Sequence, residues 1–370
     1  MARLQTLVSV NAARVAPAVR FTSPGRLLEQ TVCHYPRIVA FGGGTGLPVV
    51  LRGLADAIPA RVGDRWADRL AAIVTVSDDG GSSGRLRRDF GVLPPGDIRN
   101  CLAALSSDVA FGRLLGHRFD GGTDLSGHAV GNLMLTALAR MTGSFAGAID
   151  EMGRLLNARG RVFPSTCDDV TLRAELANGD TVDGESAIVQ HPADIRRLTL
   201  VRRARPWPDA LRAIINADVI VVGPGSLYTS VVPNLLVDGV ASTLAAVRGI
   251  RICVANLMTQ AGETEGMSLD DHLRVLLEHT GHHLFDYVLV NNREPDAAQL
   301  ERYRREGAEP VRRGRELRFG GRAKLVAADL LDTDSDHVRH DGAKLAAAIL
   351  DIAQRTGASA AMPASSSRSL

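Results

Sequence analysis

Three short segments of this chain concentrate residues that can hold a phosphate. The first is Gly42-Gly43-Gly44-Thr45-Gly46. Glycines let a backbone approach an anion closely, so that several N–H groups can point inward together. The helix expected to follow adds its positive end, and Thr45 adds a hydroxyl. The spacing also excludes two familiar sites. A dinucleotide fingerprint needs a third glycine where this chain has Leu47, and a phosphate loop of the Lys-bearing type needs a lysine that is absent here. A turn needing glycine for geometry alone is the bland alternative; three consecutive glycines followed by Thr-Gly favour binding.

The second segment is Asp78-Asp79-Gly80-Gly81-Ser82-Ser83-Gly84-Arg85. In a doubly wound sheet the end of the second strand lies beside the first loop, where ligands bind. Asp78 and Asp79 there can accept ribose hydroxyls or hold Mg²⁺ near a phosphate. Gly80, Ser82 and Ser83 can extend the cradle. Arg85, Arg87 and Arg88 either neutralise phosphate or form a solvated face. The third segment, Gly223-Pro224-Gly225-Ser226-Leu227-Tyr228-Thr229-Ser230, repeats the logic of the first. Two such loops in one parallel sheet point to a ligand lying across its C-terminal edge. His128, Gly131 and Asn132 open a helix, where Asn132 either caps or binds. Asn256 and Thr259 follow a further strand and can face the same cleft. No G-x-S-x-G or H-E-x-x-H motif occurs, so no covalent nucleophile is indicated, and His282-His283 lacks metal-ligand company.

The elements that must position these loops are legible as apolar runs. Strands are expected at 37–41, 70–76, 218–222, 251–255 and 287–290, each short, apolar and bounded by turn residues. Helices are expected at 47–58, 98–105, 126–140, 145–157, 208–216, 234–247, 269–279 and 297–307, with 59–68 a polar connection and 77–84 a loop. Prolines 94 and 95 suit the entry of a helix. Strand-like runs at 170–176 and 181–189 flank Asn178-Gly179-Asp180, a hairpin signal, so 162–201 reads as an antiparallel β-rich insertion. The alternation predicts an α/β fold: a Rossmann-like, doubly wound, mostly parallel sheet covered on both faces.

Composition narrows the function further. The chain has 370 residues, 45% hydrophobic and 23% charged, enough for one large core. A net charge of +2 and 4% aromatics give no support for a nucleic-acid or membrane surface. Cys33, Cys101, Cys167 and Cys253 are far apart and read as small core residues of a reduced, cytoplasmic protein. Residues 1–35 carry Arg3, Arg14, Arg20 and Arg26 before the first acid, Glu29. Such a start is either an organellar transit peptide or a disordered extension; the extension is preferred, because no amphipathic helix stands out. Residues 356–370 read as a disordered Ala/Ser-rich tail, leaving 36–355 as a single domain.

Taken together, GGGTG, SDDGGSSGRLR, LPPGDIRN, HAVGNL and VVGPGSLYTSVVPNLLV resemble the YvcK family, as do NLMTQAGET, RYRREGAEPV and VRHDGAKLA. That family is the gluconeogenesis-factor branch of the fold shared with CofD, the phospholactate transferase of deazaflavin-cofactor synthesis. The likeness spans roughly residues 37–354. It implies a cytoplasmic protein that binds UDP-sugars, UDP-N-acetylglucosamine in particular, and serves carbon partitioning, cell-wall precursor supply and cell shape by regulation. It adds Asp97 and Asn100 of LPPGDIRN to the candidate site. It also carries over Tyr303, whose ring can stack on a base or sugar, and Arg339, which can pair with a diphosphate. The transferase branch is the alternative, moving a phospholactyl-like group from a nucleotide diphosphate donor; it shares the first loop and the Asp, but is expected to have a GPSNP-like run in place of GPGSLYTS. No cofactor beyond Mg²⁺ is expected. Expected partners are the UDP-sugar, a regulatory protein and a further copy of the chain.

Overall fold

The computed structural model describes residues 35–58, 69–122, 124–191, 194–313, 318–319 and 321–357. The extension at 1–35, the tail at 356–370 and the connection at 59–68 therefore lie almost wholly outside the described residues.

The first half of the chain runs β1 (Ile38–Gly42), α1 (Gly46–Ala57), β2 (Leu70–Val74), α2 (Gly81–Phe90), α3 (Gly96–Leu105), α4 (Val109–Gly116), α5 (Val130–Thr142), α6 (Phe145–Leu155) and β3 (Arg161–Pro164). An insertion follows: β4 (Leu172–Leu176), β5 (Thr181–Asp183), α7 (Glu185–Gln190) and β6 (Ile195–Leu200). The second half opens with α8 (Pro208–Asn216), β7 (Val219–Val222), a π-helical turn (Leu227–Val231), α9 (Val232–Leu236), α10 (Val240–Ala246) and β8 (Ile250–Val254). It ends with α11 (Leu269–Thr280), β9 (Tyr287–Asn291), α12 (Ala297–Arg305), β10 (Lys324–Ala328) and α13 (Gly342–Arg355).

Seven strands form one parallel sheet in the order β10-β9-β8-β7-β1-β2-β3. Successive strands step outward from β1 to β3, and the chain then returns to β1's other side and steps outward again from β7 to β10. The order reverses between β1 and β7, which is where a doubly wound sheet opens a crevice at its C-terminal edge.

The central strands are apolar throughout because both faces are covered. On β1, Val39 and Phe41 point into one core, and Ile38 and Ala40 into the other. On β7, Ile220 and Val222 join the first core, and Val219 and Val221 the second. The second core is filled by α1, α3, α6 and α13; the first by α8 to α11 and by the small antiparallel sheet β5-β4-β6. Gly53 is where α1 meets α13: a Cβ there would fall on the Gly342 carbonyl. Among the described residues no single helix is long and apolar enough to cross a membrane.

Five expectations are corrected. Residues 161–164 are not part of an antiparallel excursion but form β3, the parallel edge strand beside β2. The run 181–189 is not one strand: β5 stops at Asp183, Gly184 turns with φ 96°, and α7 begins at Glu185. The helix expected at 234–247 breaks at Gly239, φ 78°, into α9 and α10. The loop expected at 77–84 ends early, because α2 starts at Gly81. Gly84 is needed there, since any Cβ would collide with the Asp79 carbonyl. Finally, α4, β10 and α13 were not anticipated.

Candidate functional site

The loops after β1 and β7 flank the switch-point crevice and interlock. Gly44 turns with φ 60°, and Gly46 opens α1. A Cβ on Gly46 would overlap the Pro224 carbonyl, so the two loops touch backbone to backbone only because Gly46 is glycine. A Cβ on Gly43 would lie 2.5 Å from Asp97 Oδ2 and 3.2 Å from Ser230 Oγ. Thr45, the N-cap of α1, is exposed and its side chain makes no capping bond, which leaves the hydroxyl free to meet a ligand.

Opposite this loop stand the starts of α2 and α3. The Gly44 N–H donates to Asp97 Oδ2 at 2.8 Å, and the Asn100 amide reaches the Gly44 carbonyl at 3.4 Å. Part of the cradle is thus held by the protein's own carboxylate. Burial pushes the Asp97 carboxyl up to about 6, against the pull of that N–H bond, with nearby Asp78 pushing the same way. Asp78 Oδ1 accepts from the Gly80 N–H (2.9 Å), and Asp79 Oδ1 accepts from the Ser186 N–H (2.9 Å), the first turn of α7. Asp78 and Asp79 therefore do different jobs: Asp79 ties the insertion to the β2 loop, and Asp78 shapes its own turn. Among the described residues no group of three or more His, Cys, Asp or Glu is placed to hold a metal ion.

The insertion brings one residue that the sequence reading did not single out. Glu185 Oε2 accepts from the Ser77 hydroxyl at 3.0 Å. Its carboxyl is pushed up to about 9, by burial first and then by Asp78, Asp97 and Asp79. Lying where a strand was expected, it carried no signal in the sequence.

Ser82, His128 and Asn132 form a buried chain. The Asn132 amide donates to Ser82 Oγ at 3.0 Å, and Ser82 Oγ lies 2.9 Å from His128 Nδ1. Burial and the neighbouring Arg85 charge push His128 down, which keeps the imidazole neutral and able to accept the Ser82 hydroxyl. Asn132 lies inside α5, whose N-cap is Ala129, so it does not cap that helix; its amide is spent on Ser82. Ser83 is buried against Gly96: a Cβ on Gly96 would lie 2.6 Å from its Oγ. Of the three arginines, Arg87 pairs with Asp169 (2.5 Å) and donates to the Val170 carbonyl, Arg85 donates to the Ser126 carbonyl, and Arg88 is exposed.

The loop after β7 is bolted down. Gly223 turns with φ 79°. The Gly225 N–H donates to Asn256 Oδ1 (3.1 Å), and the Asn256 amide returns a bond to the Gly225 carbonyl (2.9 Å). Asn234 donates to the Gly42 and Ser230 carbonyls, stitching the two loops together (3.0 and 2.8 Å). The Thr229 hydroxyl and the Tyr228 N–H both donate to Glu263. Ser226 is partly buried at the head of the π-helical turn. Thr259 is spent on backbone bonds with Glu309. Tyr303 and Arg339 lie apart from these contacts. Tyr303 packs beside Met258, Leu331 and Val338 in a satellite cluster, and Arg339 is exposed on the segment before α13.

A parallel doubly wound sheet with two interlocked glycine loops at its switch point defines a Rossmann-like class of α/β protein. The family model described as 2-phospho-L-lactate transferase CofD matches residues 38–331, and the chain belongs to this CofD family. Its curated relatives include the gluconeogenesis factor of Bacillus subtilis strain 168, 41% identical over 86% of this chain and 98% of that one. The gluconeogenesis factor of Halalkalibacterium halodurans is 42% identical over 87% of this chain and 98% of that protein. A solved UPF0052-family structure from Bacillus halodurans superposes with a TM-score of 0.80 at 40% identity, covering 85% of this chain and 99% of the other.

Proposed function

We propose that this protein binds a UDP-sugar, UDP-N-acetylglucosamine in particular, and acts as a regulator of carbon partitioning and cell-wall precursor supply. The observation that carries the reading is the crevice between the β1 and β7 loops: two glycine turns in backbone contact, at the one place where the strand order reverses. The diphosphate lies along the Gly42–Gly46 loop and the start of α1, where the free Thr45 hydroxyl meets it. The likeness to gluconeogenesis factors supports a regulatory role in carbon use. Calorimetry tests the reading: UDP-N-acetylglucosamine binds stoichiometrically and is recovered unchanged. Absence of binding heat with every UDP-sugar tried defeats it.

A second reading is favoured by a different observation. Burial pushes the Asp97 carboxyl up to about 6 and the Glu185 carboxyl up to about 9, and Asp97 bonds the first glycine loop directly through the Gly44 N–H. Groups of that kind serve as general acids, which fits a phosphorus-group transferase, the activity named in the family description. Release of free nucleotide from a nucleotide diphosphate donor, in the presence of an acceptor, would favour it over regulation.

A further inference from the structure

We propose that Arg99 is a positioning residue of the phosphate site: a buried positive charge, held behind the Gly42–Gly46 loop through Asn100, that raises affinity in proportion to the negative charge of the ligand. The inference rests on the reading of that loop as a phosphate cradle.

Arg99 is only 6% exposed, two residues after Asp97 in the first turn of α3. Its stem lies on the first turn of α5: a Cβ on Gly131 would sit 2.7 Å from Arg99 Cγ and 2.9 Å from Cδ. Gly131 is glycine so that this side chain can pass. Of the guanidinium donors, Nη2 gives a bond to Asn100 Oδ1 at 2.5 Å, while Nε and Nη1 are buried without a partner among the described residues. Asn100 in turn donates to the Gly44 carbonyl. The charge is therefore one side chain removed from the loop backbone.

A merely structural arginine would be paired. Among the described residues no carboxylate bonds it: Asp97 Oδ2 accepts from the Gly44 N–H and Asp78 Oδ1 from the Gly80 N–H. Burial, and then the Arg118 charge, work against the guanidinium, while the Asp97 and Asp78 charges favour it without bonding it. An unpaired buried charge costs stability, and an apolar side chain of similar volume often does better. Such a charge is explained by an anion that arrives later. In a low-dielectric interior its field reaches a phosphate on the loop without direct contact. Asn132 Oδ1 is also buried and unpartnered nearby on α5, so a water bridging it to Arg99 is the competing account.

The test uses Arg99→Met, Arg99→Lys and Asn100→Ala in the full chain. Inorganic phosphate, pyrophosphate and UDP-N-acetylglucosamine are the probes, read by calorimetry and thermal melting. Without ligand, Arg99→Met should melt at or above the wild-type temperature. Its affinity for pyrophosphate and the UDP-sugar should fall at least about tenfold, and less for the less charged orthophosphate. Arg99→Lys, which keeps the charge, should stay within about threefold of wild type, and Asn100→Ala should lie between the two. An Arg99→Met protein that melts lower, or does not fold, shows that the arginine is structural and overturns the proposal. Unchanged anion affinity in Arg99→Met, or an equal loss for all three probes, overturns it as well. If the wild-type protein binds none of the probes, the phosphate reading of the loop fails, a result distinct from a wild-type site that is indifferent to Arg99.

Discussion

Gly42–Gly46 and Gly223–Ser230 both follow a buried strand at the same edge of the sheet, and both are rich in glycine and hydroxyls, yet they are held in opposite ways. The first passes straight into a helix; among the described residues its exposed Thr45 hydroxyl has no partner, and the carboxylate that tethers the loop is Asp97. The second has both polar groups of Gly225 taken by Asn256, and it enters a π-helical turn bonded to Glu263. One loop is left open to receive; the other is a buttress that holds it in place. Glycine content alone does not separate the two roles. The partners of the backbone do.

The sharpest way to break this pairing is at the contact itself. Gly46→Ala puts a methyl group onto the Pro224 carbonyl, and a backbone cannot step aside as a side chain can. We expect a loss of about 3 kcal/mol by denaturant melts, together with loss of ligand binding. Gly43→Ala meets the Asp97, Thr75 and Ser230 side chains and no backbone atom as near, and should cost about 1 kcal/mol. Equal effects at the two positions would show that the loops do not lean on each other through Gly46.

Two half-buried glutamates, Glu185 bonded to Ser77 after β2 and Glu263 bonded to Thr229 in the second loop, predict a difference in pH response. Glu185 lies among Asp78, Asp97 and Asp79, whereas Glu263 has hydrogen-bond donors and no acid among its causes of shift. The folded-state value of Glu185, about 9, exceeds its ordinary 4.5. Through that window the folded protein holds a proton that the unfolded chain has lost, so stability falls as pH rises from about 4.5 to 9. Glu185→Gln should remove this slope and stabilise the protein at pH 8 by about 2 kcal/mol. Glu263→Gln should change the slope less, because Thr229 and Tyr228 offset its burial. Melts across pH 4 to 9 decide it; a Glu185→Gln profile parallel to wild type would refute the acid cluster.

How much of this was readable in advance follows from what each residue's environment depends on. The strands β1, β2, β7, β8 and β9 were legible because both faces of the sheet are covered, which forces an unbroken apolar run ending at turn residues. The glycine loops were legible for the same reason. The edge strand β3 was not: it is four residues, ends in Pro164, and runs into the insertion. The edge strand β10 is mostly exposed and starts with a lysine, and its apolar run, Leu325 to Ala328, is only four residues long. Helix α7 hid behind β-branched residues, its true boundary set by the turn at Gly184. Glu185 and Arg99 take their significance from neighbours over 50 residues away or on another helix, which no local pattern contains. Asp97 and Asn100 came only from the likeness to a family.

The buttress can be loosened without touching the receiving loop. Asn256→Ala strips partners from both the N–H and the carbonyl of Gly225. A loss of about 1.5 kcal/mol is expected in denaturant melts, with weaker binding as a consequence of a misplaced loop. A fully stable Asn256→Ala protein would show that the second loop holds its shape unaided.

The smallest effects separate the two roles most cleanly. Thr45 and Thr229 are both threonines at the head of a helical segment, one in each loop. The Thr45 hydroxyl has no partner among the described residues, whereas the Thr229 hydroxyl donates to Glu263 at 2.9 Å. Thr45→Ala should leave stability within about 0.5 kcal/mol of wild type and weaken UDP-sugar binding about fivefold, the worth of one hydrogen bond. Thr229→Ala should do the reverse, lowering stability by about 1 kcal/mol and leaving affinity nearly unchanged. Melting curves and calorimetry on the two proteins give four numbers. The division of labour holds only if the large ones fall on opposite measurements, because a ligand that touches both loops equally would weaken with either substitution.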